Sequence, residues 1–225
     1  MERLLIIFAK YPRPGQVKTR LAATIGDTKA AALYGQLIRH TLSVACSLNH
    51  LIYKAVAVAR KEDVAPFRRR FPGADDYFAQ SETPDLGLRM REALVWGAGR
   101  GSRKMVIIGT DCPWLDRRHL KEAFEALEES DVVFGPAEDG GYYLIGAKQV
   151  HPQLFSGIPW STEAVLKTSL RRAQEAGLRY TCLESLRDLD EAEDLNRLQQ
   201  TRPDLWRTLT LNGWKQLPEN GGPEF

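Results

Sequence analysis

The sequence has 225 residues, of which 43% are hydrophobic, 27% charged and 9% aromatic. These fractions are typical of a globular protein, and the length suits one domain with a sizeable core. The formal net charge is +2, which gives no global field for binding nucleic acid, and no apolar run approaches membrane-spanning length. We therefore predict small-molecule partners, no nucleic acid and no membrane span.

The three cysteines, Cys46, Cys112 and Cys182, are far apart and form no C-x-x-C pair. This spacing argues against the usual zinc and redox motifs and shows no disulfide framework. Thiols without such a framework favour a reducing cytosol, so we expect a cytoplasmic protein.

Apolar runs typical of strands alternate with segments of helical periodicity along the chain. The predicted strands cover 3–10, 53–59, 76–80, 104–109, 131–137, 141–147 and 178–184. The predicted helices cover 28–48, 63–71, 85–99, 116–130, 161–177 and 190–200. This repetition predicts an α/β fold with a mostly parallel central sheet and helices on both faces. We predict one domain, residues 1–205, and a partly flexible C-terminal extension, residues 206–225.

The first strand runs into a loop, AKYPRPGQVKTRL (9–21), that combines turn residues with positive charges. Lys and Arg side chains beside a helix N-terminus form an anion site, although the loop matches neither G-x-x-x-x-G-K-[ST] nor G-x-G-x-x-G. We favour phosphate binding over a basic surface loop, because ligands of such sheets bind at the carboxyl ends of strands. The predicted residues are Lys10, Pro14, Gly15, Lys18, Thr19 and Arg20.

The loop QSETPDLGLRM (80–90) follows the third predicted strand. Gly87, in an otherwise helical start, indicates a close approach of backbone or ligand, and Arg89 has the length to reach a phosphate or a base. The alternative is an ordinary helix start, with Pro84 and Asp85 as its signal.

The strand at 104–109 ends in GTDCPWL, so Asp111 stands where the chain leaves the sheet. A divalent cation on a diphosphate needs only one or two protein carboxylates, and a turn before a helix also favours Asp; both interpretations remain open. The segment RDLDEAEDL (187–195) brings Asp188 and Asp190 to the end of a later strand. One of this pair completes a metal site with Asp111, or Asp190 caps the next helix.

The loop GPAEDGGYYLIG (135–146) is either a hairpin turn or an acceptor pocket. Adjacent acids, glycines and a tyrosine suit a sugar or acceptor, and a carboxylate there can act as a base. In PWST, Trp160 either stacks on a sugar or fills the core. The predicted acceptor or sugar residues are Glu138, Gly140, Gly141, Tyr142, Trp160, Ser161 and Thr162, with Asp139 as a catalytic residue.

Five segments, FAKYPRPGQVKTRL, GTDCPWL, GPAEDGGYYLIG, PWST and RDLDEAEDL, occur in this order. Together they resemble a bacterial family related to the nucleotide-diphospho-sugar transferases. Members of this family are described as glycosyltransferases of GT-A type, and some are linked to arsenosugar biosynthesis. The resemblance spans nearly the whole chain, to about residue 200.

The resemblance implies a Rossmann-like GT-A fold whose first loop holds the nucleotide. It also implies a strand-end acidic residue that binds Mg²⁺ or Mn²⁺ on the diphosphate, and Asp111 matches that role. The predicted metal set is Asp111, Asp188 and Asp190, and Lys18 is predicted as a second catalytic residue. Sugar transferases usually carry a D-x-D motif, and the corresponding residues here are T-D-C. A single Asp followed by another Asp later in the chain is typical of nucleotidyltransferases.

We therefore predict a metal-dependent glycosyltransferase that moves a sugar from a nucleotide-diphosphate sugar to a small-molecule acceptor. The alternative is a nucleotidyltransferase that joins an NTP to a phosphorylated small molecule and releases pyrophosphate. A second alternative is a non-catalytic nucleotide- or sugar-binding protein.

Overall fold

The computed structural model describes residues 2–214, and within this range the chain forms seven strands and eight α-helices. The strands are β1 (Arg3–Ala9), β2 (Ile52–Val58), β3 (Asp76–Ala79), β4 (Lys104–Ile108), β5 (Val132–Pro136), β6 (Tyr142–Ala147) and β7 (Tyr180–Cys182). The helices are α1 (Thr19–Ile25), α2 (Asp27–Cys46), α3 (Val64–Arg70), α4 (Leu86–Ala98), α5 (Arg117–Glu129), α6 (Val165–Glu175), α7 (Ala192–Thr201) and α8 (Pro203–Trp214).

All seven strands form one sheet in the order β3-β2-β1-β4-β6-β5-β7. Strand β6 pairs antiparallel with both of its neighbours, whereas every other pairing is parallel. The predicted mostly parallel sheet is therefore confirmed. Strands β1 and β4 lie side by side in its middle, so their carboxyl ends open at the same edge.

Helices cover both faces of the sheet, as predicted, and the burial of β1 shows why. Its residues alternate between two hydrophobic clusters, with Leu5 and Ile7 in one and Leu4 and Ile6 in the other. Helices α2, α5 and α8 contribute to the first cluster, and α4 contributes to the second. A strand that is apolar on both faces is thus buried from both sides.

The segment before α2 differs from the prediction, which began a single helix at residue 28. A separate short helix, α1, precedes α2, and Gly26 separates them with a φ of 84°. The positive φ is accessible to glycine at little cost and stops the first helix. The turn-rich part of the first loop therefore ends at Lys18, directly before α1.

Helix α6 begins at Val165 and not at the predicted residue 161. Ser161 has a φ of 64°, and the Thr162 hydroxyl donates to the carbonyl of Pro159 at 2.7 Å, so this stretch is a turn. Strand β7 is also shorter than predicted, because it pairs only with the three residues of β5 that begin at Val132.

Helix α8 was not predicted, and it packs against α2. Leu205 and Leu209 of α8 are buried in the hydrophobic cluster that also contains α2. The first residues of the predicted C-terminal extension, 206–225, therefore belong to α8, and residues 215–225 lie outside the described residues. No helix within residues 2–214 combines the length and apolarity that crossing a membrane requires.

Candidate functional site

Tyr34 of α2 joins the carboxyl ends of β1 and β4, after which the first loop and Asp111 follow. Its hydroxyl oxygen accepts a hydrogen bond from the Lys10 backbone N–H at 3.0 Å and shares another with the Thr110 hydroxyl at 2.9 Å. Burial, together with the charge of Asp111, raises the pKa of Tyr34 to about 12. The neutral phenol thereby fixes the spacing between the first loop and Asp111.

Lys18 pairs with two of the three predicted metal ligands. Its ammonium contacts Oδ1 of Asp111 and lies 2.8 Å from Oδ1 of Asp190. The Lys18 side chain is 3% exposed, whereas the carboxylates are 44% and 45% exposed. Burial alone lowers the pKa of Lys18, but the two carboxylates outweigh burial and raise this pKa above its ordinary value.

The segment before α7 is held against the end of β4 by its backbone. The N–H of Leu189 donates to the carbonyl oxygen of Asp111 at 2.8 Å, which places Asp188 and Asp190 on either side of this contact. Asp190 is not the cap of α7, because the N-cap is Glu191. The carboxylate of Asp190 is therefore available to Lys18.

Asp194 fixes this segment from within α7. Its carboxylate accepts from the backbone N–H groups of Asp190 at 2.9 Å and Glu191 at 2.7 Å, and from the Arg187 guanidinium. Asp194 is buried, so these bonds are shielded from water. Asp194 is a positioning residue for Asp190, and the sequence-based prediction missed it.

The pKa of Asp188 reflects its burial and the charges around it in the cluster. Burial, followed by the charge of Asp111, raises the pKa of Asp188 to about 7, and Lys18 opposes this shift. Asp190 and Asp139 also raise it. Since three carboxylates and the nearby Asp139 face one ammonium, the cluster carries an excess of negative charge near neutral pH.

Such a cluster fits a divalent cation by its chemistry. Carboxylate oxygens are the ligands that Mg²⁺ and Mn²⁺ prefer, and an added cation would relieve the repulsion that raises the pKa of Asp188. Within residues 2–214, however, no three His, Cys, Asp or Glu side chains are arranged to hold a metal ion. Lys18 occupies one oxygen of Asp111 and one of Asp190 in this arrangement.

The predicted phosphate loop contains exposed and buried cations. Lys10, Thr19 and Arg20 are exposed, and Arg20 has a carboxylate of Glu191 at 3.8 Å. Pro14 and Gly15 form the exposed turn, in which Gly15 has a φ of 73°. The structure thus leaves Lys10 and Arg20 accessible to an anion, whereas the ammonium of Lys18 is engaged with carboxylates.

Arg13 anchors this loop, and the prediction did not include it. Its guanidinium binds both carboxylate oxygens of Asp63, one of them at 2.6 Å, and it stacks over the ring of Tyr11. Because Asp63 is buried beside α3, the pair ties the first loop to the segment after β2. No sequence motif marks Arg13 and Asp63 as partners.

Gly87 and Arg89 make contacts within the protein at the start of α4. Asp85 caps this helix by accepting from the Leu88 N–H at 2.9 Å, and the Arg89 side chain donates to the carbonyl of Thr83 at 2.6 Å. A methyl group at Gly87 would lie 2.6 Å from the Phe155 carbonyl oxygen, so this glycine permits close packing within the protein. We expected either protein backbone or a ligand to approach Gly87 closely, and the structure shows the approach of backbone.

The predicted acceptor loop forms a tight turn. Asp139 accepts from the Gly141 N–H at 2.9 Å, and Gly140 has a φ of 87°. Glu138 is held by two arginines, Arg187 and Arg197, each at 3.5 Å. Asp139 remains exposed and close enough to raise the pKa of the Asp188 carboxyl.

Tyr142 and Trp160 pack on the face of the sheet that carries α4. Their rings meet edge to face with centroids 6.3 Å apart, and both belong to the periphery of the core cluster there. Trp160 lies against Gly87, so its core interpretation matches its contacts. Ser161 and Thr162 are exposed in the adjoining turn.

A shallow cleft of about 400 Å³ borders the acceptor loop. It is lined by Gly140 and Glu163, by Leu166 and Leu170 of α6, and by Tyr180 of β7. The cleft adjoins the predicted acceptor residues and does not include the carboxylates around Lys18.

One mostly parallel seven-stranded sheet with helices on both faces is a Rossmann-like fold of the nucleotide-diphospho-sugar transferase type. The family described as "Uncharacterized protein conserved in bacteria (DUF2064)" matches residues 41–162, more than half of the chain. The protein belongs to this family. A search of the curated proteins finds no match.

A crystal structure from Desulfovibrio desulfuricans G20, provisionally named a nucleotide-diphospho-sugar transferase, is 30% identical with a TM-score of 0.85. The match covers 94% of this chain and 96% of that protein. This similarity supports the same family over nearly the whole length.

Two more distant structures share the fold. CMP:2-keto-3-deoxy-manno-octonic acid synthetase complexed with CTP is 13% identical at a TM-score of 0.56, covering 91% of this chain and 99% of that one. Rv0371c of Mycobacterium tuberculosis H37Rv, in complex with manganese, is 14% identical at a TM-score of 0.54, covering 88% and 99%. At these identities the likeness extends to the fold alone.

Proposed function

We propose that the protein is a metal-dependent glycosyltransferase that moves a sugar from a nucleotide-diphosphate sugar to a small-molecule acceptor. The observation that carries this proposal is the acidic cluster around Lys18, where Asp111 and Asp190 share one ammonium beside Asp188. Its place at the carboxyl edge of β4 is where ligands bind in sheets of this type. The provisional name of the Desulfovibrio protein supports the same class.

Asp111, Asp188 and Asp190 would hold a divalent cation, Mg²⁺ or Mn²⁺. Such a cation neutralises charge on a leaving diphosphate. The manganese complex of Rv0371c supports a divalent cation on this fold. The protein would supply this cation with carboxylate oxygens, and Asp194 holds the segment that carries Asp190.

The exposed cations of the first loop, Lys10 and Arg20, would bind the phosphates of the nucleotide. Asp139 is an exposed carboxylate at the acceptor loop, and we assign it the role of the base that receives the acceptor's hydroxyl proton. The turn that Gly140 and Gly141 form holds Asp139 near the acidic cluster.

Nucleotidyl transfer is the second candidate, and one observation favours it. The acidic residues come from two separate segments, the end of β4 and the stretch before α7, and not from one D-x-D loop. The CMP:2-keto-3-deoxy-manno-octonic acid synthetase fold is compatible with this reaction.

Product analysis separates the candidates. The protein is incubated with Mn²⁺ and a panel of nucleotide sugars and small acceptors, and then with NTPs and phosphorylated sugars. Release of a nucleoside diphosphate supports glycosyl transfer, and release of pyrophosphate supports nucleotidyl transfer. Binding without turnover over the whole panel would favour a non-catalytic nucleotide- or sugar-binding protein.

Asp111→Asn tests the site directly. We expect metal-dependent nucleotide binding to weaken by at least a hundredfold in calorimetry, because the variant loses a charged ligand at the centre of the cluster. Asp85→Asn is the matched control: Asp85 also lies in a loop after a strand, and asparagine keeps its role as the cap of α4. Equal metal dependence in wild type and Asp111→Asn would remove this cluster from the proposed function.

A further inference from the structure

The positive charge of Lys18 lies beside the carboxylates that a divalent cation would bind, so it would repel such a cation. Its ammonium contacts Oδ1 of Asp111 and Oδ1 of Asp190, so each carboxylate has one oxygen engaged. The ammonium is covered by protein, whereas both carboxylates are nearly half exposed. The acidic cluster is therefore exposed to solvent at its carboxylates, and Lys18 closes it on the side of the protein interior.

The backbone at Lys18 is built for this placement. Lys18 has φ 49° and ψ 43°, a left-handed conformation that is unfavourable for a residue with a side chain. Its carbonyl accepts from the Ala22 N–H at 2.8 Å, which locks it onto the first turn of α1. With this backbone conformation the Lys18 side chain is directed into the cluster, where its ammonium makes two ion pairs and is shielded from solvent.

Lys18 and a divalent cation compete for the same carboxylates. Like charges a few ångströms apart repel, and the oxygens that hold the ammonium are oxygens that a metal would use. The same ammonium belongs to the basic first loop, whose other cations, Lys10 and Arg20, are exposed. A diphosphate at this loop offers Lys18 an alternative partner.

We propose that Lys18 is an internal counter-ion that disfavours a divalent cation in the nucleotide-free protein, and that a bound diphosphate relieves this by pairing with the ammonium. The inference rests on the proposed function, because it takes Asp111 and Asp190 as the metal ligands. Metal and diphosphate then bind with positive coupling that passes through one side chain. Free metal alone binds weakly, and the metal–nucleotide pair binds well.

The test compares the affinity for Mn²⁺ alone in wild type and Lys18→Met, measured by calorimetry or by the electron paramagnetic resonance of free Mn²⁺. We expect Lys18→Met to bind Mn²⁺ at least tenfold more tightly. Lys121→Gln is the control, since it removes one positive charge at an exposed position of α5, outside the first loop and the acidic cluster. We expect this control to stay within threefold of wild type.

Inorganic pyrophosphate, which carries no base or sugar, is the probe for coupling. With saturating pyrophosphate, and with the soluble Mn²⁺–pyrophosphate complex accounted for, the tenfold gap between wild type and Lys18→Met should close to within threefold. A gap that persists would show that the ammonium stays on the carboxylates, and would overturn the inference. A Mn²⁺ affinity in Lys18→Met that equals or falls below wild type would overturn it as well.

Lys18→Gln guards against a folding defect, because it keeps a hydrogen-bond donor without the charge, and circular dichroism establishes that each variant is folded. If wild type binds Mn²⁺ with pyrophosphate but neither variant gains affinity for Mn²⁺ alone, only the counter-ion role fails. If no form of the protein binds Mn²⁺ under any condition, the proposed function fails together with it.

Discussion

The acidic cluster and the acceptor loop lie near one another, yet they are held in different ways. The cluster is assembled by ion pairs and hydrogen bonds from distant parts of the chain, above all those of Lys18 and Asp194. The acceptor loop is held by close packing, in which Gly140 lies against the backbone of Glu163 and its carbonyl oxygen accepts a hydrogen bond from the Leu166 N–H at 2.9 Å.

The difference separates two kinds of sensitivity. A cluster held by charges responds to pH, metal and ligand, because each changes the same balance. A loop held by packing responds to volume, because interiors are close-packed and cannot yield to an added methyl group. Substitutions that change only charge, or only volume, should therefore affect one region and spare the other.

The largest expected effect is that of Gly140→Ala. A methyl group there would lie 2.6 Å from the Glu163 Cα and would overlap the neighbouring carbonyl, and the φ of 87° is unfavourable for alanine. We expect the free energy of unfolding to fall by about 3 kcal/mol, measured by urea denaturation.

Gly101→Ala is the matched control for this prediction. Gly101 has a φ of 82°, but nothing lies within 4 Å of an added methyl group. It should therefore show the conformational cost alone, about 1 kcal/mol. Equal losses in the two variants would show that the contact with Glu163 does not constrain the acceptor loop.

Asp194→Asn should have the next largest effect, and it tests the cluster. An amide in place of the carboxylate weakens three hydrogen bonds and leaves the half-buried Arg187 without its main charge partner. We expect a loss of about 2 kcal/mol in unfolding free energy and weaker metal-dependent nucleotide binding. Calorimetry and urea denaturation measure the two losses.

Glu193→Gln is the control, because Glu193 also faces Arg187 but at 3.7 Å and with a side chain that is 80% exposed. Exposed pairs of this kind contribute little, so we expect a change below about 0.5 kcal/mol. If Asp194→Asn matches this control in both measurements, the segment before α7 does not depend on the buried carboxylate.

The sequence predicted the sheet and the acidic cluster because both follow from strand ends. Apolar runs such as 104–109 mark buried strands, and parallel strands bring their carboxyl ends to one edge. That rule brings Asp111 and the first loop together without knowledge of any side-chain contact. Asp85 was identified as a start signal of α4 for a different reason, since capping is a local signal, and it is the N-cap of that helix.

The positioning residues that the sequence-based prediction missed lie within helices. Tyr34 joins two strand ends from the middle of α2, and Asp194 acts through backbone groups four and three residues earlier. The position of Tyr34 does not differ in pattern from that of an ordinary helical residue, whereas Asp194 is the N3 residue of a capping box that begins at Glu191. The engagement of Lys18 by carboxylates was also beyond the sequence, because its left-handed backbone conformation is set by the packed loop.

The smallest effect, and one of opposite sign, is expected for Asp188→Asn in metal-free protein. Burial and the charge of Asp111 raise the pKa of Asp188 to about 7, against about 4 for an unfolded chain. Between these two pH values the folded state binds more protons than the unfolded state, so wild-type stability falls as pH rises through this window. Asparagine does not titrate, and the variant avoids this loss.

In the presence of EDTA, Asp188→Asn should therefore be more stable than wild type by about 1–2 kcal/mol at pH 8, discounted for partial exposure. This corresponds to a rise in Tm of roughly 2–4 °C per kcal/mol, and the rise should largely vanish at about pH 3, below both pKa values, where Asp188 is mostly protonated in both states. Asp139→Asn, at an exposed position beside the same cluster, should show a smaller gain. A rise in Tm that is independent of pH between 4 and 8 would show that the amide stabilises by packing. Asp188 would then be constrained by packing, as the acceptor loop is. The contrast between a cluster held by charge and a loop held by packing would be wrong.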